Sequence, residues 1–147
     1  RILAVKDGDT AVISLCGIEE TLRLIGFNAP EVHNTRTGVQ CFGKEAQQEA
    51  TALLLGKRVR IESDPSQGRR EGRGRLLVYI HLPDGRNFGE HMIAEGFAHE
   101  ELYQKHYAYE GLFKAAEARA ASKGMWRNAA CALESQKTTV RMRERRG

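Results

Sequence analysis

The stretch Leu22-Arg23-Leu24-Ile25-Gly26-Phe27-Asn28-Ala29-Pro30-Glu31 constrains this chain more than any other. Its first six residues read as a strand, Leu22 to Phe27, with one arginine set among apolar side chains. Pro30 fixes its own φ and pushes Ala29 toward extended backbone, so the strand ends in a loop that leaves at a defined angle. One short segment thus offers a guanidinium, then an amide from Asn28, then a carboxylate from Glu31. By period two the in-line neighbours of Arg23 are Ile25 and Phe27. If that face is buried, the arginine needs an anionic partner. The acidic cluster Asp7-Gly8-Asp9-Thr10 lies upstream, and a second arginine site, Gly74-Arg75, lies downstream. Carboxylates, other oxygen ligands and two arginines suit a hard metal ion and a phosphate.

The rest of the chain reads as about five strands and three helices. Arg1 to Lys6 is an edge strand and Asp7-Gly8-Asp9 a turn. Thr10 to Leu15 is a second strand, Cys16 to Glu19 a hairpin turn, and Glu20 to Phe27 the return strand. Val32 to Gln40 is polar and reads as a mobile surface loop. Lys44 to Leu55, rich in Ala, Glu, Gln and Leu and stopped by Gly56, is a helix. Lys57 to Glu62 and Leu76 to Leu82 are strands, separated by a loop over Asp64 to Gly74. Phe88 to Glu95 is a short helix ended by Gly96. Tyr109 to Lys123 is a longer one ended by Gly124, with Leu112, Phe113, Ala116 and Ala120 at helical spacing. Short strands in hairpin order, with one helix inserted after the third and two at the end, predict an α+β fold built on a small barrel.

The chain has 147 residues, 41% hydrophobic and 29% charged, the balance of one domain with a real core. No apolar run approaches the roughly 20 residues of a membrane span. There is no initiator Met ahead of Arg1, which reads as a processed or trimmed product. The net charge of +4 favours a polyanionic partner. Most of it sits at the end: residues 134–147 hold Lys137, Arg141, Arg143, Arg145 and Arg146 against Glu134 and Glu144. That segment reads as a solvated, mobile basic tail following a domain over 1–133. Three cysteines, Cys16, Cys41 and Cys131, include no CxxC pair, so a zinc site is not expected. An odd count allows one disulfide and one free thiol, and spacing alone leaves the pair open.

Taken together, the motifs resemble the staphylococcal nuclease (thermonuclease) family. The resemblance runs in order through Asp7-Gly8-Asp9-Thr10, Arg23-Leu24-Ile25-Gly26, Ala29-Pro30-Glu31, Gly38-Val39 and Phe42-Gly43-Lys44-Glu45-Ala46. It continues through Gly74-Arg75-Leu76-Leu77-Val78-Tyr79, Asp84-Gly85, Glu95-Gly96-Phe97-Ala98 and Gly124-Met125-Trp126. It implies a five-stranded OB-fold barrel with three helices, and a Ca²⁺-dependent hydrolase acting on DNA and RNA and leaving 3′-phosphate ends. Single-stranded or frayed nucleic acid is the expected substrate, and a monomer outside the cell or in its envelope the expected form. The resemblance places metal ligands at Asp9, Asn28 and the Ala29 carbonyl. It places the residue that activates or orients water at Glu31, and the phosphate-clamping arginines at Arg23 and Arg75. It also implies a disulfide between Cys41 and Cys131, since secreted relatives carry a cysteine in each place, with Cys16 left as the lone thiol.

The chain departs from the family pattern at several positions. Asn28 stands where the family has a second aspartate, which weakens the expected metal site. Glu71 and Arg73 stand where an aspartate and a tyrosine are usual, and Arg73 takes the tyrosine's part in holding a phosphate. Tyr103 is the candidate for a base-stacking tyrosine. His33 reads as a solvated loop residue. Two other classes of function compete: a nucleic-acid-binding OB module whose activity was lost through Asn28, and a generic adaptor domain that binds no nucleotide.

Overall fold

The computed structural model describes residues 1–32, 41–102, 105–127 and Cys131. Among these residues, three α-helices pack on a five-stranded mixed sheet of order β1-β2-β3-β6-β5, where β1 is Ile2–Asp7, β2 Thr10–Leu15, β3 Ile18–Leu24, β5 Arg60–Glu62 and β6 Leu76–His81. The hairpin β2–β3 is tighter than expected. Cys16 and Gly17 alone make the turn, both at positive φ (51° and 80°), and Leu15 faces Ile18 directly. Such mirror-image turns match the natural twist of a hairpin. β3 pairs in parallel with β6, Leu22 opposite Leu76 and Leu24 opposite Val78. A parallel pair needs a long crossover, and the inserted helix α1, Gly43–Leu54, lies on it.

The sequence reading needs correction at five places. The return strand stops at Leu24 rather than Phe27, because the chain bends at Gly26, whose φ is +91°. A Cβ there would meet Tyr107 at 2.5 Å and Phe113 at 2.8 Å, so only glycine lets the bend pass beneath those rings. Phe27–Asn28 then forms a separate short strand, β4, paired with β7, His99–Glu100. The strand expected from Lys57 begins at Arg60, as β5, because Gly56 and Lys57 exchange backbone hydrogen bonds with Ile2 (2.9 and 3.0 Å). Those two bonds tie the edges at one point, but the five strands are not closed into the expected barrel. Helix α3 spans Glu110–Arg119, shorter than predicted, and a 3-10 turn, Gly124–Arg127, follows it.

Helix α2, Phe88–Ala94, begins where the Asn87 side chain accepts from Glu90 N, a side-chain cap for an otherwise orphaned amide. The core lies between sheet and helices and includes Leu22, Leu54, Ile80, Phe88, Met92, Ile93 and Phe113, all essentially inaccessible. Phe27 sets its ring edge-on to both Phe88 and Phe113, at 6.2 and 6.3 Å between centroids, which locks the short strand β4 onto α2 and α3. The chain is also closed covalently. Cys41, just ahead of α1, is bonded to Cys131, and Cys16 is free and exposed, as the resemblance implied. Among the described residues no helix is long and apolar enough to cross a membrane. The loop around His33, Tyr103 and the basic tail lie outside the described residues.

Candidate active site

Five segments meet at one open cleft of about 430 Å³. Its lining is Lys6 and Asp7 from the end of β1, Asp9 and Thr10 from the turn into β2, and Thr21 and Arg23 from β3. Asn28 and Glu31 come from β4 and its loop, and Arg73 and Arg75 from the segment before β6. Of the expected site residues, Asp9, Arg23, Asn28, Glu31, Arg73 and Arg75 are brought together. Ala29 is not in the lining: it is buried beneath it, with 1% of its surface exposed.

The turn that carries Asp9 is pressed against its neighbours. A Cβ on Gly8 would meet the Ala29 methyl at 2.7 Å and Ala46 at 3.3 Å, so a glycine lets the turn sit on α1. That approach buries Asp9, and each of its carboxylate oxygens accepts one hydrogen bond. Oδ2 accepts from Ala29 N at 2.8 Å and Oδ1 from the Thr10 hydroxyl at 2.9 Å. Asp9 therefore fixes the start of the loop that carries Glu31. Asp7 does the same further along, accepting from Val32 N at 2.8 Å.

In β3, Leu22 and Leu24 face the core, so Arg23 and Thr21 face the cleft by strand alternation. Arg23 does not share a face with Ile25 and Phe27, because the strand ends before them. Its Nη1 donates to the carbonyls of Leu24 (2.9 Å) and Phe27 (3.1 Å), bracing the Gly26 bend, and lies 3.5 Å from Asp9 Oδ2. The Nε and Nη2 edge makes no hydrogen bond among the described residues, with Glu101 Oε2 4.0 Å from Nη2. That edge is a fork with the spacing of two phosphate oxygens.

Arg75 is oriented by Glu71. Nε and Nη2 of Arg75 donate to Glu71 Oε1 and Oε2 at 3.1 and 3.2 Å. The backbone amides of Arg73 and Arg75 also donate to Glu71 Oε1. The Arg75 hydrogen bond, against the opposing effect of burial and together with those amides, brings the Glu71 carboxyl down to about 2. Nη1 of Arg75 is left for the cleft. Sequence reasoning placed Glu71 only by position. The signal for its role is the spacing of four to Arg75 across a glycine-containing turn.

Among the described residues, the side chains of the cleft that could ligate a cation offer oxygens: the carboxylates of Asp7, Asp9 and Glu31 and the amide of Asn28. This chemistry fits a hard cation. It does not build a closed cage, since among the described residues no three His, Cys, Asp or Glu side chains converge on one point. An ion held here would keep several positions for water or substrate oxygens. Sequence reasoning assigned no role to Lys6, Asp7, Thr10 or Thr21. Thr21 was readable as the period-two neighbour of Arg23.

Comparison with known proteins shows the family. The sequence profile described as "Staphylococcal nuclease homologue" matches residues 21–128. The chain is similar to a thermonuclease of Staphylococcus hyicus, 33% identical over 131 residues that cover 87% of this chain and 75% of that one. It is similar to a thermonuclease of Staphylococcus intermedius, 35% identical over 81% of this chain and 69% of that one. Endonuclease YncB of Bacillus subtilis is 30% identical over 79% of this chain and 54% of its own length.

Proposed function

Since the chain belongs to the staphylococcal nuclease homologue family, we propose that it is a metal-dependent nuclease cleaving phosphodiester bonds of DNA and RNA to leave 3′-phosphate ends. The observation that carries this reading is the convergence of Arg23, Arg75 and Glu31, from three separate segments, on one cleft with Asp9 and Asn28. The relatives' names, thermonuclease and endonuclease, support the same activity.

In this reading the scissile phosphate sits between the two arginines. The open edge of Arg23 and Nη1 of Arg75 hold its non-bridging oxygens. Their hydrogen bonds strengthen as negative charge builds on the pentacovalent phosphorus, which is where a charged donor lowers the barrier. Glu31 accepts a proton from the attacking water as its oxygen bonds to phosphorus. The bond from phosphorus to the 5′ oxygen breaks, that oxygen takes up a proton, and the phosphate stays on the 3′ side. Asp9, Asn28 and the Ala29 carbonyl are the residues that would hold Ca²⁺, which when bound supplies fixed positive charge beside the phosphate. Because Asn28 is neutral, the substrate phosphate itself provides part of the negative charge the ion needs.

Arg73 and, on the resemblance, Tyr103 complete the substrate contacts. Residues 1–133 form the nuclease unit, with 134–147 as a basic appendage. The Cys41–Cys131 bond suits an oxidising compartment, outside the cell or in its envelope. The expected form is a monomer acting on single-stranded or frayed chains. Asn28 also favours a second reading, a binding module with little activity. Nicking of a supercoiled plasmid separates the two. The nuclease converts it to nicked and linear forms in Ca²⁺ and stops in EDTA. A protein that retains oligonucleotide binding but never nicks is the binding module.

A further inference from the structure

The cleft holds more positive charge than one phosphate uses. Of the four cationic side chains among its described lining residues, Arg23 and Arg75 are anchored by carbonyls and by Glu71. The side chains of Lys6 and Arg73 make no hydrogen bond or ion pair among the described residues. Lys6 stands where a regular strand would not put it. Lys6 and Asp7 are consecutive, yet both line the cleft, whereas neighbours in a pleated strand point to opposite faces. The cause is a slip in register. Val5 faces Ala11 and Asp7 faces Thr10, so two steps along β1 answer one step along β2. Lys6 is the extra residue of this bulge, and a bulge re-aims a side chain. Gln47 of α1 secures it, its amide donating to the carbonyls of Val5 (3.4 Å) and Lys6 (3.2 Å).

An exposed lysine is ordinarily a solvated charge or a partner to a nearby carboxylate. Here Asp7 and Asp9 share the cleft, and no ion pair joins Lys6 to either of them. We propose that Lys6 holds a phosphate adjacent to the one being cleaved, so that the cleft recognises a polynucleotide backbone of at least two phosphates rather than a single nucleotide. β1 is the outer strand of the sheet and Lys6 is exposed on it, which places the ammonium at the rim, where a substrate chain leaves the cleft. A flexible point charge suits a flanking phosphate that need not be fixed bidentately. The proposal rests on the nuclease reading above.

The test is the salt dependence of kcat/KM for a single-stranded oligonucleotide in Ca²⁺, for wild type, Lys6→Gln and Lys6→Arg. Each neutralised phosphate adds about 0.7 to the slope of log affinity against log salt for a single strand. Lys6→Gln is expected to flatten the slope by about 0.7 and to act through KM, and Lys6→Arg to keep the wild-type slope. Equal slopes in wild type and Lys6→Gln, with wild type cleaving, overturn the flanking-phosphate site and leave the nuclease reading standing. A wild type that cleaves no oligonucleotide at any salt sinks both.

Discussion

Arg23 has two duties on two edges of one guanidinium: Nη1 braces the Gly26 bend through two carbonyls, and the other edge faces the cleft. Lysine can keep the charge but not the fork. Arg23→Lys and Arg75→Lys are each expected to lower kcat/KM about 10²–10³-fold, the loss of one transition-state donor. Circular dichroism should show both variants folded; near-full turnover in both would remove the clamp assignment. Asn28 permits a second test. An amide ligates a hard cation but adds no charge, and ligand charge tunes affinity. Calorimetric Ca²⁺ titration without nucleotide should therefore show tighter binding in Asn28→Asp than in wild type, and none in Asp9→Asn. Unchanged affinity in Asn28→Asp would place that residue away from the metal. At this scale the sequence was readable wherever one residue type was out of place in its surroundings, as Arg23 is among Leu22, Leu24 and Ile25. It was silent on Lys6, because a bulge is a relation between two strands and leaves no mark on either one.

Among the elements, the link between the sheet and α3 runs through Asp64, which follows β5. It accepts from the Tyr79 hydroxyl on β6 (2.6 Å), from the Ser66 amide and hydroxyl (2.9 and 2.7 Å), and from Ala108 N ahead of α3 (2.9 Å). Burial alone would raise its pKa. The hydrogen bonds from Ala108, Tyr79 and Ser66 outweigh burial and bring it from the ordinary 3.8 to about 2. A carboxyl depressed in the folded state stabilises fully above its unfolded value and loses that contribution as pH falls through the folded one. Denaturant titrations should thus show this stabilisation intact above about pH 5 and lost between about pH 4 and 2. Asp64→Asn should cost about 2–3 kcal/mol at neutral pH and flatten the acid limb. An unchanged acid limb would assign the acid sensitivity to other groups. Strand and helix identities were legible from period two, helical spacing and the glycines at 56, 74 and 96. What escaped was the break after Leu24 and the pair β4–β7, because the Gly26 bend is dictated by Tyr107 and Phe113, some eighty residues away. Barrel closure also depended on contacts between distant segments, and among the described residues the backbone bonds of Ile2 with Gly56 and Lys57 tie the edges at a single point.

For the molecule as a whole, the Cys41–Cys131 bond spans a sequence separation of 90 residues and ties the start of α1 to the chain beyond the 3-10 turn. Closing a loop of that length restricts the unfolded chain and stabilises by about 2–5 kcal/mol. Reduction should lower the denaturant midpoint accordingly, and titration of the denatured, unreduced protein should count one thiol, that of Cys16. Three thiols would refute the bridge and with it the argument for an oxidising compartment. The ordered motif series made the family legible across most of the chain, whereas the partners that aim each arginine, Glu71 and the Leu24 and Phe27 carbonyls, became visible only in three dimensions. The central claim is that this cleft hydrolyses phosphodiester bonds with Glu31 acting on water. Cleavage of a 5′-labelled single-stranded oligonucleotide by wild type and Glu31→Gln, with end analysis, in Ca²⁺ and in EDTA, tests it most directly. The account predicts 3′-phosphate ends from wild type in Ca²⁺, no cleavage in EDTA, and a rate about 10²–10⁴-fold lower in Glu31→Gln. Cleavage that persists in EDTA, 3′-hydroxyl ends, or a Glu31→Gln variant as fast as wild type would contradict it.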